Sequence, residues 1–307
     1  MKRGLPKPRI LLALAASVLL GFACQSTDTD EIAQPGNGLS ASDFGDASHN
    51  CRFHSSRSAA ASAAAASDSY YDRSLRREID TKWIYSDVDL LDKFWNLDKI
   101  AVYIWHGSQS MNAIAYSSNV ITFGENLYYD FLGKFGYYSA AGVMAHEWGH
   151  QIQYDYNFNG ESRDMELEAD NFAGYYLGHE GGRELTWKES SGFFDALYSI
   201  GDYSYNSPSH HGTPAQRRSA GRLGWLLADW SNKNREVGIQ ELHKTFFYYY
   251  NEVLEGSSFG RSARMPATSE EIAKGLDKEI IGYLNGHYRE LKRIHNGEIK
   301  GKEYSNL

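Results

Sequence analysis

The sequence predicts an α+β domain, mainly helical, with a small sheet lying beside a buried central helix. Three observations predict it. An apolar helical stretch at about residues 138–154 is followed by a second helical stretch with some apolar surface at 162–177, a period-two segment at residues 100–105 precedes a hairpin pattern, and helical packing segments stand at both ends of the folded region. At 307 residues, with 42% hydrophobic and 23% charged residues, the chain has ordinary globular composition and length enough for a substantial core.

The elements follow in order. Lys2, Arg3, Lys7 and Arg9 precede an apolar run, residues 10–22, which at 13 residues is too short to span a bilayer as a stable helix. A basic start and a short apolar run fit a secretory signal over residues 1–23. Cys24 follows Leu20, Gly21, Phe22 and Ala23, which resembles a bacterial lipoprotein cleavage site except that Gly21 stands where Leu is usual. Acylation of Cys24 with two or more chains would anchor the protein to a membrane. Cleavage after Ala23 without acylation would release a soluble protein in which Cys24 and Cys51 can form a disulfide. Either route exports the chain, to the bacterial cell envelope in the first case and as a secreted or periplasmic protein in the second.

Residues 24–72 are rich in Ser, Ala, Asp and Gly and include an alanine-serine run at 58–67. They hold too few aromatic and branched side chains to offset ordering entropy, so they are expected to be a mostly disordered tether ahead of a folded domain at 73–307. Gly36-Asn37-Gly38 imitates a dinucleotide fingerprint but follows no strand, and is rejected. The folded region is expected to open with a helix over about residues 72–96, its apolar side formed by Leu75, Ile79, Trp83, Leu90, Leu91 and Phe94. A strand follows at 100–105, then a hairpin of residues 112–116 and 119–123 joined by Ser117-Ser118, with 112–116 the candidate exposed edge. Gly124-Glu125-Asn126 ends the hairpin before a short helix rich in Tyr and Leu. Helices near residues 238–255 and 269–295 close the chain as packing elements, although the aromatic run 246–250 could instead line a cleft.

Chemistry concentrates in His146-Glu147-Trp148-Gly149-His150. Residues four apart on a helix share a face, roughly 6 Å apart, so His146 and His150 can bind one Zn²⁺ together. Glu147 then stands beside the metal as a general base without being a ligand. The flanking residues are small or apolar and free of proline, which predicts a buried helix where unpaired imidazoles would be costly. A site of this kind needs a third protein ligand and carboxylates that orient the histidines. Glu166 and Asp170, four apart on the next helix, supply them, Glu166 as third ligand and Asp170 as acceptor from a ligand imidazole. Glu168 lies about 200° around that helix and is expected to be solvated.

Three blocks, His146-Glu-Trp-Gly-His150-Gln-Ile-Gln153, Glu166-Leu-Glu-Ala-Asp170-Asn-Phe-Ala-Gly174 and His211-Gly-Thr-Pro-Ala-Gln-Arg217, resemble in this order the bacterial neutral zinc metallopeptidase family. The matching stretch runs from about residue 113 to 227. The second and third blocks are also similar to membrane-associated peptidases that cut prenylated or misfolded proteins. The resemblance implies a zincin-like fold, a gluzincin-like ligand set with one zinc per chain, and hydrolysis of peptide bonds by metal-activated water. Its motif sets a histidine directly before the glycine, which favours His211 over His210 as the donor to the oxyanion formed when an amide carbonyl is attacked. Arg217 can hold its loop by pairing with a carboxylate or reach the substrate backbone, and the resemblance favours the first. In zinc peptidases of this architecture an edge strand pairs with the substrate backbone, here residues 112–116. Two departures stand out, neither touching the inferred ligands: Asn171 replaces a cysteine found in many members, and the loop between the first two blocks is short, which reduces a surface expected to shape the substrate cleft, so specificity does not carry over.

Removing residues 1–23 takes four of the 31 basic groups and none of the 39 acidic ones, leaving a balance of −12. Such an acidic exported chain is a poor nucleic-acid binder, and no phosphate-cradling loop or serine nucleophile elbow is present. The expected activity is a zinc-dependent endopeptidase of the cell envelope acting on proteins or peptides. The alternatives are a zinc hydrolase of a non-peptide amide or ester and a non-catalytic zinc-binding envelope lipoprotein. Glu147 speaks against the last, because a closed structural site needs no general base.

Overall fold

The computed structural model describes residues 39, 44, 68–205, 210–254 and 275–295. The signal segment, Cys24, Cys51 and the run at 58–67 lie outside the described residues. The strands are β1 (Tyr70–Asp72), β2 (Ala101–His106), β3 (Ala113–Tyr116) and β4 (Val120–Gly124). They form one mixed sheet in the order β1-β2-β4-β3, with β2 and β4 parallel and the outer pairs antiparallel. Val102, Ile104 and His106 are buried while the residues between them are partly exposed, which is the period of a half-buried strand. The hairpin turn takes three residues rather than two, because Asn119 adopts a left-handed φ of 60° before the ladder resumes at Tyr116 and Val120. β3 stands at one edge of the sheet and β1 at the other.

The tether boundary needs correction. β1 falls inside residues 24–72, and so does Phe44, which is buried with its ring 5.1 Å from that of Tyr71, 5.3 Å from Tyr103 and 5.6 Å from Tyr116. Its carbonyl also accepts from the Ser118 hydroxyl. One aromatic side chain with three aromatic neighbours is enough to attach this part of an otherwise polar segment.

Helix α1 (Glu78–Trp95) ends at Asn96, whose left-handed backbone caps it. Its buried face is also a correction. Ile79 is 49% exposed and Trp83 44%, whereas Asp80, Ile84, Asp87, Val88, Leu91 and Trp95 are buried. The true stripe was hidden because it contains two aspartates, each satisfied internally: Asp80 by Arg77, and Asp87 by Arg183, Tyr137 and Tyr176. Burial holds the Asp87 carboxyl above its usual range although Arg183 and the two hydroxyls pull it down. Arg183→Ala should therefore cost about 3 kcal/mol of unfolding free energy near neutral pH, from a buried charge left without its cation. A carboxyl held above its unfolded pKa destabilises the fold only while ionised, so the deficit should narrow as pH falls. Urea unfolding at two pH values checks both statements.

The remaining helices are α2 (Glu125–Phe135), α3 (Tyr137–Asp155), α4 (Ser162–Gly178), α5 (Ser191–Ile200), α6 (Pro214–Lys233), α7 (Ile239–Tyr248), α8 (Tyr250–Leu254) and α9 (Lys278–His295). α3 and α4 are buried on all sides over most of their length, as expected of helices surrounded by other elements. They run antiparallel: His146 meets Asp170, whereas His150 and Gln153 meet Glu166 and Met165. Their close approach requires Gly149, where a Cβ would stand 2.8 Å from the Ala169 Cα. α4 packs most extensively on α6, a helix the sequence patterns did not delimit. Gly221 and Gly224 lower its intrinsic propensity, yet at Gly224 any side chain would strike the Asn171 carbonyl. The aromatic run 246–250 packs, with Phe246 and Tyr249 buried and the Tyr250 hydroxyl 2.9 Å from Arg163 Nη2. No helix among the described residues is long and apolar enough to cross a membrane.

Candidate metal centre

α3 and α4 bring His146, His150 and Glu166 together with their side chains buried. The two imidazole Nε2 atoms are 3.2 Å apart, and the Glu166 oxygens lie 3.5 Å from His146 Nε2 and 3.4 Å from His150 Nε2. Among the described residues this is the only group of three or more His, Cys, Asp or Glu side chains with ligand atoms within 4.8 Å of one another, and it could hold a metal ion.

The partners behind the rings determine which atoms face the centre. His146 Nδ1 lies 2.8 Å from Asp170 Oδ1, and His150 Nδ1 lies 2.8 Å from Gln153 Oε1. Both partners are acceptors, because the Gln153 amide nitrogen already donates to the Met165 carbonyl at 2.8 Å and to Glu168 at 3.1 Å. Each Nδ1 therefore carries a proton, and two Nε2 lone pairs converge with a carboxylate. With both rings neutral, the centre calls for positive charge, which a metal ion can supply and which a proton on His146 supplies otherwise. The donor set fits zinc: tetrahedral bonds of about 2.0–2.2 Å place donors about 3.3–3.6 Å apart, close to the separations here. Burial lowers the His146 pKa, but Asp170 and then Glu166 overcome it and push it up to about 9. Burial opposes ionisation of Glu166, yet hydrogen bonds from His146, His150 and His211 hold it well below the usual carboxylate range.

Glu147 follows His146 and is also wholly buried. It faces the sheet closely enough to influence Tyr116 on β3, whose pKa is raised first by burial and further by the Glu147 charge, against a hydrogen bond with Thr122.

The third block builds the rear of the site. Gly212 has a φ of 98°, which favours glycine, and Thr213 caps α6 with Pro214 in its first turn. Thr213 and Gln216 form a reciprocal capping box. One residue later Arg217, itself buried, clamps Asp170 through Nε–Oδ2 and Nη2–Oδ1 contacts of 2.8 Å each. Asp170 thus joins His146 to Arg217. The two adjacent histidines separate: His210 Nδ1 pairs with Asp202 at 2.9 Å, whereas His211 Nδ1 lies 3.2 Å from Glu166 Oε2.

Sequence reasoning missed three supports, Gln151, Gln153 and His243, and misplaced one residue. Glu168 is buried rather than solvated, with one oxygen 3.1 Å from Gln153 Nε2 and the other 2.6 Å from His243 Nδ1. A helical wheel with a single inward face cannot anticipate this, because α4 is covered on several sides. Gln153 was detectable, since it sits three residues after His150 and shares its face. Gln151 bridges α3 to the hairpin by donating to the Tyr116 and Val120 carbonyls at 3.0 and 3.1 Å. Compared with known proteins, the chain matches no protein-family model, no curated protein and no solved structure.

Proposed function

We propose that this domain is a zinc-dependent peptidase with a zincin-like fold, exported to the cell envelope. The observation that carries the reading is the buried convergence of His146, His150 and Glu166 with Glu147 adjacent. Three protein donors is the count of a catalytic rather than a structural zinc site. Bound zinc would supply Lewis-acid chemistry, polarising a carbonyl and acidifying water.

The chain's own residues do the rest. Glu147 accepts the proton of the attacking water at its carboxylate and passes it to the leaving amine. Asp170 and Gln153 keep the two imidazoles in the tautomer that presents Nε2. We assign the donor to the developing oxyanion to His211, whose Nε2 is buried without a hydrogen-bond partner among the described residues. At the sheet edge the Gly124 N–H donates to the Asn112 carbonyl, and the antiparallel alternation then turns the backbone of Ala113 and Ala115 outward, where an extended peptide would pair. Tyr154 already donates to the Ala115 carbonyl at 3.3 Å, which leaves Ala113 as the first pairing position. Envelope anchoring rests on Cys24, and incorporation of a fatty-acid analogue that is lost in Cys24→Ser is its test.

The mature protein should contain one zinc and cleave unfolded protein substrates, read by metal analysis and by mass spectrometry of the products. His211→Ala should retain zinc and lower turnover about 10²–10³-fold, the scale for losing one oxyanion donor. Normal turnover in that variant would remove the oxyanion role and leave the peptidase reading intact.

A further inference from the structure

We infer that Gln153, Glu168 and His243 form a positioning relay that fixes the orientation of His150 and ends at a part-exposed histidine on another helix. The inference rests on the metal reading above and extends it to a residue more than ninety positions away in sequence. The relay begins at His150 Nδ1, 2.8 Å from Gln153 Oε1. An amide can turn over and present its nitrogen instead, so Gln153 is a reliable acceptor only if that nitrogen is held elsewhere. It is held twice, by the Met165 carbonyl at 2.8 Å and by Glu168 Oε2 at 3.1 Å. Glu168 is fully buried, and a buried carboxylate with a single amide partner would be costly. Its second oxygen is occupied by His243 Nδ1 at 2.6 Å. The His243 ring is in turn stacked on Phe158 with centroids 3.8 Å apart and packed edge-on against Phe247 at 4.9 Å, while its side chain keeps 26% of its surface exposed.

The two imidazoles are therefore supported differently. His146 has a carboxylate directly behind it, clamped by Arg217. His150 has a neutral amide whose orientation is set by a carboxylate, which is set by a histidine. After the first link within α3 the relay crosses to α4 and then to α7, so correct docking of α7 is communicated to the second ligand. His243 touches neither substrate nor metal and acts through the others; it is a positioning residue.

The test uses the full mature protein with Zn²⁺ as the probe, its affinity measured by chelator competition, and Co²⁺ substitution as a spectroscopic report on ligand geometry. His243→Ala should weaken zinc binding about 10-fold, the lower end for partners beyond the direct ligands, and should shift the visible Co²⁺ bands. His243→Asn keeps a donor nitrogen where Nδ1 stands and should return affinity and spectrum to near wild type. Unfolding of the metal-free proteins identifies any variant that has merely lost packing. Unchanged zinc affinity in His243→Ala would overturn the relay while leaving the metal site in place. Equal weakening in the Ala and Asn variants would also overturn it, because the loss would then come from the stacked ring rather than the donor. A wild-type protein that binds no zinc would overturn the metal reading, and the relay with it.

Discussion

Glu147→Gln is expected to keep zinc and fold while losing peptide hydrolysis by about 10²–10⁴-fold, the usual contribution of a positioned general base. The substitution conserves shape and removes the one property that the chemistry needs, a carboxylate able to take a proton. Glu147 is completely buried, and the amide fills nearly the same volume, so the fold should be retained. The three side chains proposed to hold zinc, His146, His150 and Glu166, are unaltered. Turnover of a protein substrate, zinc content and thermal unfolding should be measured on the same preparation. Equal turnover by wild type and Glu147→Gln would sink the peptidase mechanism. Low turnover accompanied by zinc loss would instead show that Glu147 shapes the site rather than serving as its base.

Glu166→Ala should abolish zinc binding and with it the stabilisation that zinc confers. A ligand that binds only the folded state adds about 4 kcal/mol at a thousandfold excess over its Kd. For a domain of this size that corresponds to a rise in Tm of roughly 8–16 °C. Wild type should show this rise on adding zinc to the metal-free protein, and Glu166→Ala should show none. The change also strips His211 of the carboxylate 3.2 Å from its Nδ1 and leaves two converging imidazoles with no anionic partner at the centre. Glu168→Ala is the informative comparison, because Glu168 faces Gln153 and His243 rather than the centre. A full zinc-dependent rise in Glu166→Ala, with its loss in Glu168→Ala, would assign the third ligand to the other carboxylate.

The parts of this site that were readable in the sequence share one property: regular helices place them. His146 and His150 converge because they are four apart on α3, and Glu166 and Asp170 share a face because they are four apart on α4. The hairpin was readable for the same reason, since alternation and a turn are local. Pairing between distant segments was not readable from spacing. The Arg217–Asp170 clamp spans 47 residues and was suggested only by the resemblance of the block that contains Arg217. The Glu168–His243 contact spans 75 residues and had no signal, because His243 stands in an amphipathic segment that reads as packing.

By itself, then, the sequence determined the helix that carries the pentad, the carboxylate helix after it and the hairpin beside them, all from repeats of two or about 3.6 residues. Tertiary structure alone decided which face of α1 is buried, that Phe44 leaves the polar segment to enter the core, that Glu168 is internal, and which of His210 and His211 meets Glu166. The physical reason is common to all four. A polar side chain is stable inside when a partner of complementary charge or hydrogen-bonding capacity arrives from another element, and an apolar one stays at the surface when no element covers it. Local periodicity predicts the shape of a helix or strand, but not which neighbours its side chains will meet.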